Sequence, residues 1–487
     1  MGLLLSMNQK PIIFMSENGN NFMTKKSLIL IGVVLVIIVI IGFVFFSVYK
    51  PTNTTGGGTG GTNFLSTLFP FGKSSTTTPN GTPPVDVSGY TPPATTGIQK
   101  QLLTKVSSMP VAGYTVFMKE RFKDVVVEPA PTPPTETPAV TTPETNSPTS
   151  TTPTNTKKTT PTKTPIPTAP ATEFAPALRY VDRGTGNIYQ TFADKIDERN
   201  FTTTMVPQVH DAYFGDNGNS VVMRYLQPDE STIESFIGAI PKEILGQDTS
   251  SSNEVKGSFL PENITDLSFS PDNLSIFYLF NNEDSTVGVI ASSYGDKKNQ
   301  TFSSSFNEWL SQWPNARMIT LTTKPSYGVP GFMFSIDPSS KKMNKILSNI
   351  NGLTTLTSPS GKLVLYNNNN LSLRIYNTDT KDSVSIGIKT MPEKCVWDKA
   401  SVVLYCAVPN YINGTNYPDT WYQGEVSFSD QIWKVDTENG NATMLADPTA
   451  FIGGEEIDGI KLSLDEGENY LFFVNKKDSY LWELQLK

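Results

Sequence analysis

The residue types that usually carry out chemistry are scarce in this chain. His210 is its single histidine, and Cys395 and Cys406 are its two cysteines. These three residues supply too few ligands for a zinc site built from cysteine and histidine, and one histidine excludes any mechanism that needs two. The cysteine spacing is not the C-x-x-C of redox catalysts. We therefore predict no metal site, no cofactor and no catalytic residue, and we interpret His210 as a structural side chain.

The two cysteines flank the sequence KCVWDKASVVLYC, which is typical of a β-hairpin. Pairing about its centre places Cys395 opposite Cys406 on neighbouring strands, where Cβ atoms lie about 4.5 to 5.5 Å apart. A disulfide is expected there if the domain lies in an oxidising compartment. The alternative is a pair of buried free thiols that fill core positions.

The segment of residues 409–430 has unusual aromatic content. It contains Tyr411, Tyr417, Trp421 and Tyr422 among polar residues. Aromatic side chains with polar tips on a loop beside a rigid sheet are good contact anchors, so we predict that these four bind a sugar ring or another protein. The alternative is that they pack the segment back onto its own sheet. A second long insertion, residues 230–257, would extend this surface only if both insertions lie on the same face.

Motifs of common enzymes are absent. The sequence contains no G-x-S-x-G elbow, no phosphate-binding G-x-x-x-x-G-K-[ST] loop and no H-E-x-x-H zinc helix. We therefore predict a non-catalytic module that binds a protein or a glycan of the cell envelope. The alternative is a hydrolase or lyase that acts on glycans, which would need paired carboxylates in a central channel.

The composition favours an all-β domain and excludes several classes. Of the 487 residues, 37% are hydrophobic and only 17% are charged, which is unlike a coiled coil or a mainly helical enzyme. The formal net charge of -8 comes without a basic cluster beyond the first fifty residues. A nucleic-acid partner is therefore not expected.

An apolar run that starts at Ser27 and ends at Tyr49 contains no charged side chain. It is long enough to cross a hydrocarbon core of about 30 Å, so we predict a transmembrane helix over residues 27–49. Lysines precede the run, which predicts a cytoplasmic segment at residues 1–26 and everything after the helix outside the cytoplasmic membrane. The alternative is a cleaved signal peptide, but no small-x-small cleavage site follows.

Two stretches are too poor in apolar residues to fold. Residues 50–97 are rich in Gly, Thr and Pro and are predicted to form a disordered tether. Residues 129–172 contain 12 Pro and 17 Thr, and we predict a disordered insertion.

Short apolar runs separated by turn clusters repeat along residues 98–487. The period is close to the about 40 to 45 residues of a four-stranded propeller blade, and the units count to a seven-bladed β-propeller. Residues 111–118 are predicted as the first strand of the first blade, with the Pro/Thr-rich insertion following inside that blade. Residues 98–106 would complete the last blade and close the ring. A six-bladed ring or two stacked sheets are the alternatives.

Three aspartates recur at the end of the predicted third strand of a unit. They are Asp337, Asp379 and Asp436. A carboxylate at that position suits an Asx-type turn, so we expect each side chain to cap its strand.

Two turns carry a resemblance to a known repeat family. Residues 270–273 read SPDN and residues 358–361 read SPSG, each between the first two strands of a unit. In this respect the region from about Val206 to Lys487 resembles the WD40-like propeller repeats of the TolB type. Its tail also resembles membrane-anchored propellers of candidate-phylum bacteria. The resemblance implies a propeller at the cell envelope and does not imply a reaction.

Overall fold

The computed structural model describes residues 103–124, 170–243, 245, 253–450 and 454–487. In these residues 28 β-strands form seven four-stranded antiparallel sheets, which are the blades of a propeller. The first strand of the described region is β1 (Leu103–Lys105). None of the helices in the described ranges is long and apolar enough to cross a membrane. The predicted membrane helix (27–49) and tether (50–97) lie outside the described residues, as does most of the predicted insertion.

Blades 1 to 4 follow one another along the chain. Blade 1 consists of β2 (Val111–Phe122), β3 (Thr172–Asp182), β4 (Ile188–Phe192) and β5 (Lys195–Asn200). Blade 2 consists of β6 (Val209–Gly215), β7 (Ser220–Leu226), β8 (Ile233–Ala239) and β9 (Lys256–Phe259). Blade 3 consists of β10 (Ile264–Phe269), β11 (Ser275–Asn282), β12 (Ser285–Ser292) and β13 (Asn299–Ser304). Blade 4 consists of β14 (Trp309–Asn315), β15 (Met318–Thr323), β16 (Pro330–Ile336) and β17 (Met343–Asn351).

The remaining strands form blades 5 to 7. Blade 5 consists of β18 (Thr354–Thr357), β19 (Leu363–Asn367), β20 (Ser372–Asn377) and β21 (Ser383–Lys389). Blade 6 consists of β22 (Cys395–Trp397), β23 (Val403–Pro409), β24 (Asp430–Asp436) and β25 (Ala442–Ala446). Blade 7 consists of β26 (Gly459–Leu464), β27 (Tyr470–Asn475), β28 (Leu481–Gln485) and β1. One short helix, α1 (Asp419–Tyr422), lies in blade 6, and 3₁₀ turns span Asp216–Gly218, Pro392–Lys394 and Pro448–Ala450.

The ring is closed by both ends of the propeller region. β1 pairs with β28 as the fourth strand of blade 7, with Leu103 opposite Leu484 and Lys105 opposite Trp482. This arrangement covers an edge that would otherwise be free to pair with another chain. The prediction of a seven-bladed β-propeller is confirmed, and the alternatives of six blades or two stacked sheets are wrong.

The second strand of each blade has an apolar run because both of its faces are covered by neighbouring blades. In β11 the four residues of 276–279 are all buried, and β27 shows the same pattern. A strand buried on both faces loses the alternation of apolar and polar residues that a half-exposed strand shows. The outer strands β9 and β13 are largely polar, since they face solvent.

The hydrophobic core lies between the blades. Within the described residues, seven buried clusters each join two adjacent blades, including blade 7 with blade 1. Close approach of the inner strands requires a glycine in β2. A Cβ atom on Gly113 would lie 1.9 Å from the Ala212 carbonyl oxygen of blade 2.

The turn after the inner strand is built alike in four blades. A polar side chain accepts a hydrogen bond from a backbone N–H at or next to the start of the second strand: Ser270 from Ser275, Ser358 from Leu363, Asp398 from Val403, and Asp465 from Tyr470. The SPDN and SPSG sequences therefore belong to a wider pattern, in which serine or aspartate supplies the same acceptor.

Two of the three predicted aspartate caps have the expected contacts. Asp337 accepts from the backbone N–H groups of Ser339 and Ser340, and Asp436 accepts from those of Glu438 and Asn439. In blade 5 the prediction of Asp379 is wrong. The side chain of Asn377, the last residue of β20, accepts from the N–H groups of Asp379 and Thr380, because the strand ends two residues earlier than predicted.

The two faces of the ring carry different connections. The inner strands begin on one face, which we call the entry face, and Ala112, Asp211 and Lys461 meet there, each near the start of its inner strand. Since the strands of a blade alternate in direction, connections from second to third strands also lie on the entry face. Connections from first to second and from third to fourth strands lie on the other face, which we call the exit face.

This geometry separates the two long insertions. Residues 410–429 join the second and third strands of blade 6 and therefore lie on the entry face. In blade 2 the third strand ends and the fourth strand starts on the exit face, so the connection between β8 and β9 begins and ends there. The condition for a combined surface of the two insertions, a position on the same face, is therefore not met. The boundaries 230–257 also need correction, because they include β8 and the start of β9. The Pro/Thr-rich segment joins β2 to β3 within blade 1, and Thr172 already belongs to β3.

Candidate functional site

The aromatic segment of blade 6 is partly core and partly surface. Trp421 is 4% exposed and Tyr417 is 3% exposed, whereas Tyr411 and Tyr422 are 46% and 38% exposed. Trp421 and Tyr417 pack with Phe428, Leu371 and Met391 in a separate buried cluster. The expectation that Trp421 and Tyr417 are binding anchors therefore needs correction, because a partner cannot reach their rings. Tyr411 and Tyr422 keep accessible surface on the entry face.

Helix α1 fixes this segment to its surroundings. Its first residue, Asp419, accepts hydrogen bonds of 2.9 Å from the Ser326 hydroxyl and from the Tyr327 N–H in blade 4. Its last residue, Tyr422, donates a hydrogen bond to Glu393. The segment therefore reaches from blade 6 over part of the entry face and is held at both ends of the helix.

A fully buried lysine lies under this segment. Lys394 donates hydrogen bonds to Asp430 and Asp458, and all three side chains are completely inaccessible to solvent. Burial alone would lower the pKa of Lys394, but the two carboxylates outweigh burial and raise it. Asp458 also accepts from Trp421 Nε1 at 3.0 Å and from the Phe428 N–H at 3.1 Å. The cluster therefore joins the segment to the starts of β22 and β26.

The two carboxylates of this cluster titrate differently. Burial favours the neutral acid in both, but Lys394 and the additional donors outweigh it at Asp458 and hold the pKa of that group below its usual range. At Asp430 burial wins, and its pKa rises to about 6. Asp430 Oδ1 has no hydrogen-bond partner among the described residues, whereas its Oδ2 accepts from Lys394 and from the Gly459 N–H. We interpret the cluster as a structural clamp, since its groups are sealed from solvent.

Cys395 and Cys406 are directly opposite one another in β22 and β23, as expected from the hairpin. Their Cα atoms are 4.1 Å apart and the structure joins their sulfur atoms in a disulfide. Both residues are buried between blades 5 and 6. The bond therefore has a structural position, away from any surface where it could react.

A cavity on the entry face spans blades 7, 1 and 2, and we call it the entry groove. It has a volume of about 490 Å³. Its polar lining residues are Arg183, His210, Asp211, Arg224, Lys461 and Ser479. Its apolar lining residues are Val111, Ala112, Leu226, Ile233, Ile460 and Val474, and Tyr225 completes the lining.

The polar residues of the entry groove make two sets of contacts. Arg183 donates to the Ser479 hydroxyl at 2.8 Å and its Nη2 lies 3.3 Å from His210 Nδ1. Lys461 pairs with Asp211 and also donates to the Ala112 carbonyl at 2.9 Å. These contacts place His210, an exposed side chain, beside the Arg183 guanidinium at the groove.

Two acidic groups near the starts of inner strands have raised pKa values. Burial raises the pKa of Asp266 in β10 to about 6, although hydrogen bonds from Ser311 oppose the shift. Burial raises the pKa of Glu393 to about 7, and the charge of Asp266 adds to that shift. Both groups therefore titrate within the range of ordinary physiological pH, which is where general acids and bases operate.

A second cavity, of about 290 Å³, lies beside blade 1. Here the charges are matched. Arg121 pairs with Glu173 and Asp194, and Glu243 accepts from Lys119 and Arg199. No three or more His, Cys, Asp or Glu side chains within the described ranges are grouped so that they could hold a metal ion.

Sequence reasoning missed the entry groove. Its residues come from three blades, and the partners Lys461 and Asp211 are 250 positions apart. No local motif marks them. The one available signal was the position of His210 and Asp211 near the start of a predicted inner strand, where side chains reach the mouth of the channel.

Comparisons with known proteins give no family assignment. No protein-family model matches the sequence, and no curated protein matches it. The chain is a seven-bladed β-propeller. Among solved structures it is similar to a puromycin-hydrolyzing peptidase of Mycobacterium tuberculosis, at 13% identity, a TM-score of 0.41 and coverage of 62% of this chain and 48% of the peptidase.

Two further similarities are of the same kind. The tricorn protease matches at 13% identity and a TM-score of 0.30 over 61% of this chain and 27% of the protease. An oligogalacturonate lyase from Vibrio parahaemolyticus matches at 7% identity and a TM-score of 0.40 over 64% of this chain and 86% of the lyase. This chain thus spans about half the length of the peptidase and about a quarter of the tricorn protease. The propeller architecture rests on the sheet topology, and these similarities assign no residue a role.

Proposed function

We propose that this chain is a membrane-anchored propeller of the TolB-like type, located outside the cytoplasmic membrane, that acts as a non-catalytic binding module for a protein or glycan of the cell envelope. The observation that carries the proposal is the entry groove, a cavity of about 490 Å³ with several charged side chains on a rigid ring. Concave sites with a mostly apolar lining and a few convergent polar groups are typical ligand sites. The apolar run at residues 27–49 and the lysines before it support the location.

The binding function is tested with the full chain in lipid nanodiscs. Protein and saccharide fractions of the native envelope are passed over the wild type and over two variants, Arg183→Glu in the entry groove and Tyr411→Ala on the blade 6 segment. We expect the wild type to retain envelope material, Arg183→Glu to lose it and Tyr411→Ala to keep it. The fraction that is retained identifies the partner as protein or glycan.

The variants separate the two candidate surfaces on the entry face. If only Tyr411→Ala loses the material, the blade 6 segment is the binding surface and the groove is not. If the wild type retains nothing from either fraction, the binding function is wrong.

The location is tested by proteolysis of intact spheroplasts. We expect protease to cut the tether at residues 50–97 and to release the propeller, because the lysines before the membrane segment keep the N-terminus inside. Protection of the C-terminal half from protease would contradict the proposed topology.

One observation favours the alternative of a glycan-acting hydrolase or lyase. Burial raises the pKa values of Asp266 and Glu393, and the charge of Asp266 raises that of Glu393 further, as expected of carboxyl groups that act as acid and base. The test is turnover of a panel of envelope oligosaccharides by the wild type, Glu393→Gln and Asp266→Asn. Cleavage that both variants abolish while they still bind the substrate would support an enzyme. No cleavage by the wild type would leave the binding module as the function.

A further inference from the structure

The entry groove carries more positive than negative charge. Arg183, Arg224 and Lys461 line it, and Asp211 is the carboxylate among its lining residues. Asp211 is already shared, because it pairs with Lys461 and lies 3.8 Å from Arg224. Three cations and one carboxylate leave a surplus of positive charge in a partly enclosed cavity. Such a cavity attracts an anion more strongly than open surface does, since less water screens the interaction.

Arg183 is held in place by partners that are not anions. Its backbone N–H donates to the Pro110 carbonyl at 2.9 Å. Its guanidinium donates to the Ser479 hydroxyl and contacts a ring nitrogen of His210. A guanidinium that is fixed by groups other than anions presents its remaining N–H donors as a fork, which matches the two oxygens of a carboxylate.

Arg224, which also lines the groove, has an unused donor. Its Nη2 donates to the Ile264 carbonyl, whereas its Nε is buried and has no hydrogen-bond acceptor among the described residues. A buried N–H without an acceptor is costly, so an acceptor brought by a ligand would be favoured.

The apolar part of the groove indicates what accompanies the anion. Val111, Ala112, Leu226, Ile233, Ile460 and Val474 form an aliphatic wall, and Tyr225 is the one Phe, Tyr or Trp side chain in the lining of this cavity. Aliphatic walls accommodate an aliphatic side chain, whereas sugar rings are more often held against aromatic faces. The wall therefore favours a peptide over a saccharide.

We propose that the entry groove binds a short peptide segment of a partner protein, with an apolar side chain against the aliphatic wall and an adjacent carboxylate on Arg183. This inference rests on the proposed binding function and narrows it to a protein partner. The carboxylate has two possible sources with the same chemistry, the C-terminus of the partner or an acidic side chain next to the apolar residue.

The test measures the fluorescence anisotropy of labelled peptides with the full chain in lipid nanodiscs. The probes are the N-terminally labelled tripeptide Ala-Ala-Leu with a free carboxylate, the same peptide as its C-terminal amide, and the amide of Ala-Glu-Leu. We expect at least one carboxylate-bearing peptide to bind and the neutral amide to bind about 10- to 100-fold more weakly, the range of a lost charged hydrogen bond. The free acid and the Glu-containing amide distinguish the two carboxylate sources.

Three variants test whether the peptide binds in the groove. Arg183→Ala should weaken the best peptide by about 10- to 100-fold, and Arg183→Lys should be intermediate because it keeps the charge but loses the fork. Leu226→Asp, at a half-exposed position of the wall, should weaken it as well through charge repulsion. Lys399→Ala, on the exit face, is the matched control and should leave binding unchanged. Melting temperatures establish that each variant is folded.

Several outcomes would overturn this inference. Equal binding of the neutral amide and the acids would show that the carboxylate is not recognised. Equal binding by Arg183→Ala and the wild type would show that the groove is not the peptide site. Binding of glucuronate with none of the peptides would make the ligand a saccharide. If the wild type retains envelope material, Arg183→Glu does not, and no peptide binds, then the peptide is the wrong ligand and the binding function is still supported. If nothing is retained, the binding function itself fails.

Discussion

At the scale of single residues, Lys394 is the clearest case of a charge whose partners decide its effect. Its ammonium lies without solvent contact between Asp430 and Asp458. Replacing it by an uncharged residue leaves two carboxylates buried without their counter-ion. We therefore expect Lys394→Met to lower the free energy of unfolding by about 3 to 5 kcal/mol in urea titrations, the cost of breaking a buried pair.

Lys399 provides the control for this prediction. Its ammonium lies 3.8 Å from Glu466 and both side chains are more than 60% exposed, at 64% and 69%. Exposed pairs contribute at most about 1 kcal/mol, so Lys399→Met should be nearly neutral. Equal losses in the two variants would show that the Lys394 cluster is not a clamp.

Glu393 makes a pH-dependent contribution to stability whose sign follows from its pKa. Burial, with the charge of Asp266, raises the pKa from the usual 4.5 to about 7. Between these values the folded state keeps a proton that the unfolded chain has lost, so the contribution of Glu393 to stability declines as the pH rises. We expect Glu393→Gln to flatten the decline of the unfolding free energy between about pH 4.5 and 7.

The matched control for Glu393 is Glu466→Gln at an exposed position. It should leave the pH profile of the wild type unchanged. A Glu393→Gln profile that follows the wild type over the whole window would contradict the raised pKa.

At the scale of elements, helix α1 directs Trp421 into the core, although the polar sequence around this residue predicted an exposed side chain. Trp421 packs on Phe428 and donates to Asp458. Truncating a buried tryptophan removes packing and leaves a cavity, so Trp421→Ala should cost about 3 to 5 kcal/mol of unfolding free energy. Tyr411→Ala, at an exposed position, should stay within about 0.5 kcal/mol. A stable Trp421→Ala protein with impaired binding would restore Trp421 as an anchor.

The hairpin of β22 and β23 carries the disulfide prediction. Mass spectrometry of the non-reduced protein should find a peptide pair that links Cys395 to Cys406, because the two residues are opposite one another in the strand register. Replacing both cysteines by alanine should cost less than about 3 kcal/mol, since the loop they close is short. Alkylation of both thiols without a reductant would contradict the bond.

At the scale of the whole molecule, stability depends on closing the ring with β1. Removal of residues 1–105 would uncover the edge of β28 and part of the cluster that contains Trp482 and Leu484. We expect this truncated chain to melt at a lower temperature and to self-associate more than a chain that lacks only residues 1–97, because an open strand edge pairs readily with other chains. Equal melting temperatures and equal sizes by light scattering would show that β1 does not close the ring.

The architecture could be predicted from the sequence because its determinants are local. The apolar runs of the second strands, the Ser and Asp acceptors in the turns and the opposed cysteines all lie within one blade or one hairpin, as in the pair Ser270 and Ser275. Counting such units predicted seven blades and predicted that an N-terminal strand completes the last blade. The cap in blade 5 was misplaced by two residues, because Asn377 and Asp379 both suit an Asx turn and only the strand register distinguishes them.

The contacts of the candidate site could not be predicted, because they join residues that are far apart in the sequence and meet only in the folded ring. Lys394 meets Asp430 and Asp458 across 36 and 64 positions, and Lys461 meets Asp211 across 250. The sequence showed the aromatic residues of the blade 6 segment but not which way they turn. Trp421 packs in an apolar cluster and its indole N–H donates to Asp458 of the next blade, an acceptor that comes into reach only when blades 6 and 7 pack together. The sequence determined the blades, whereas the packing of blades around the ring decided which charges meet and which surfaces remain open.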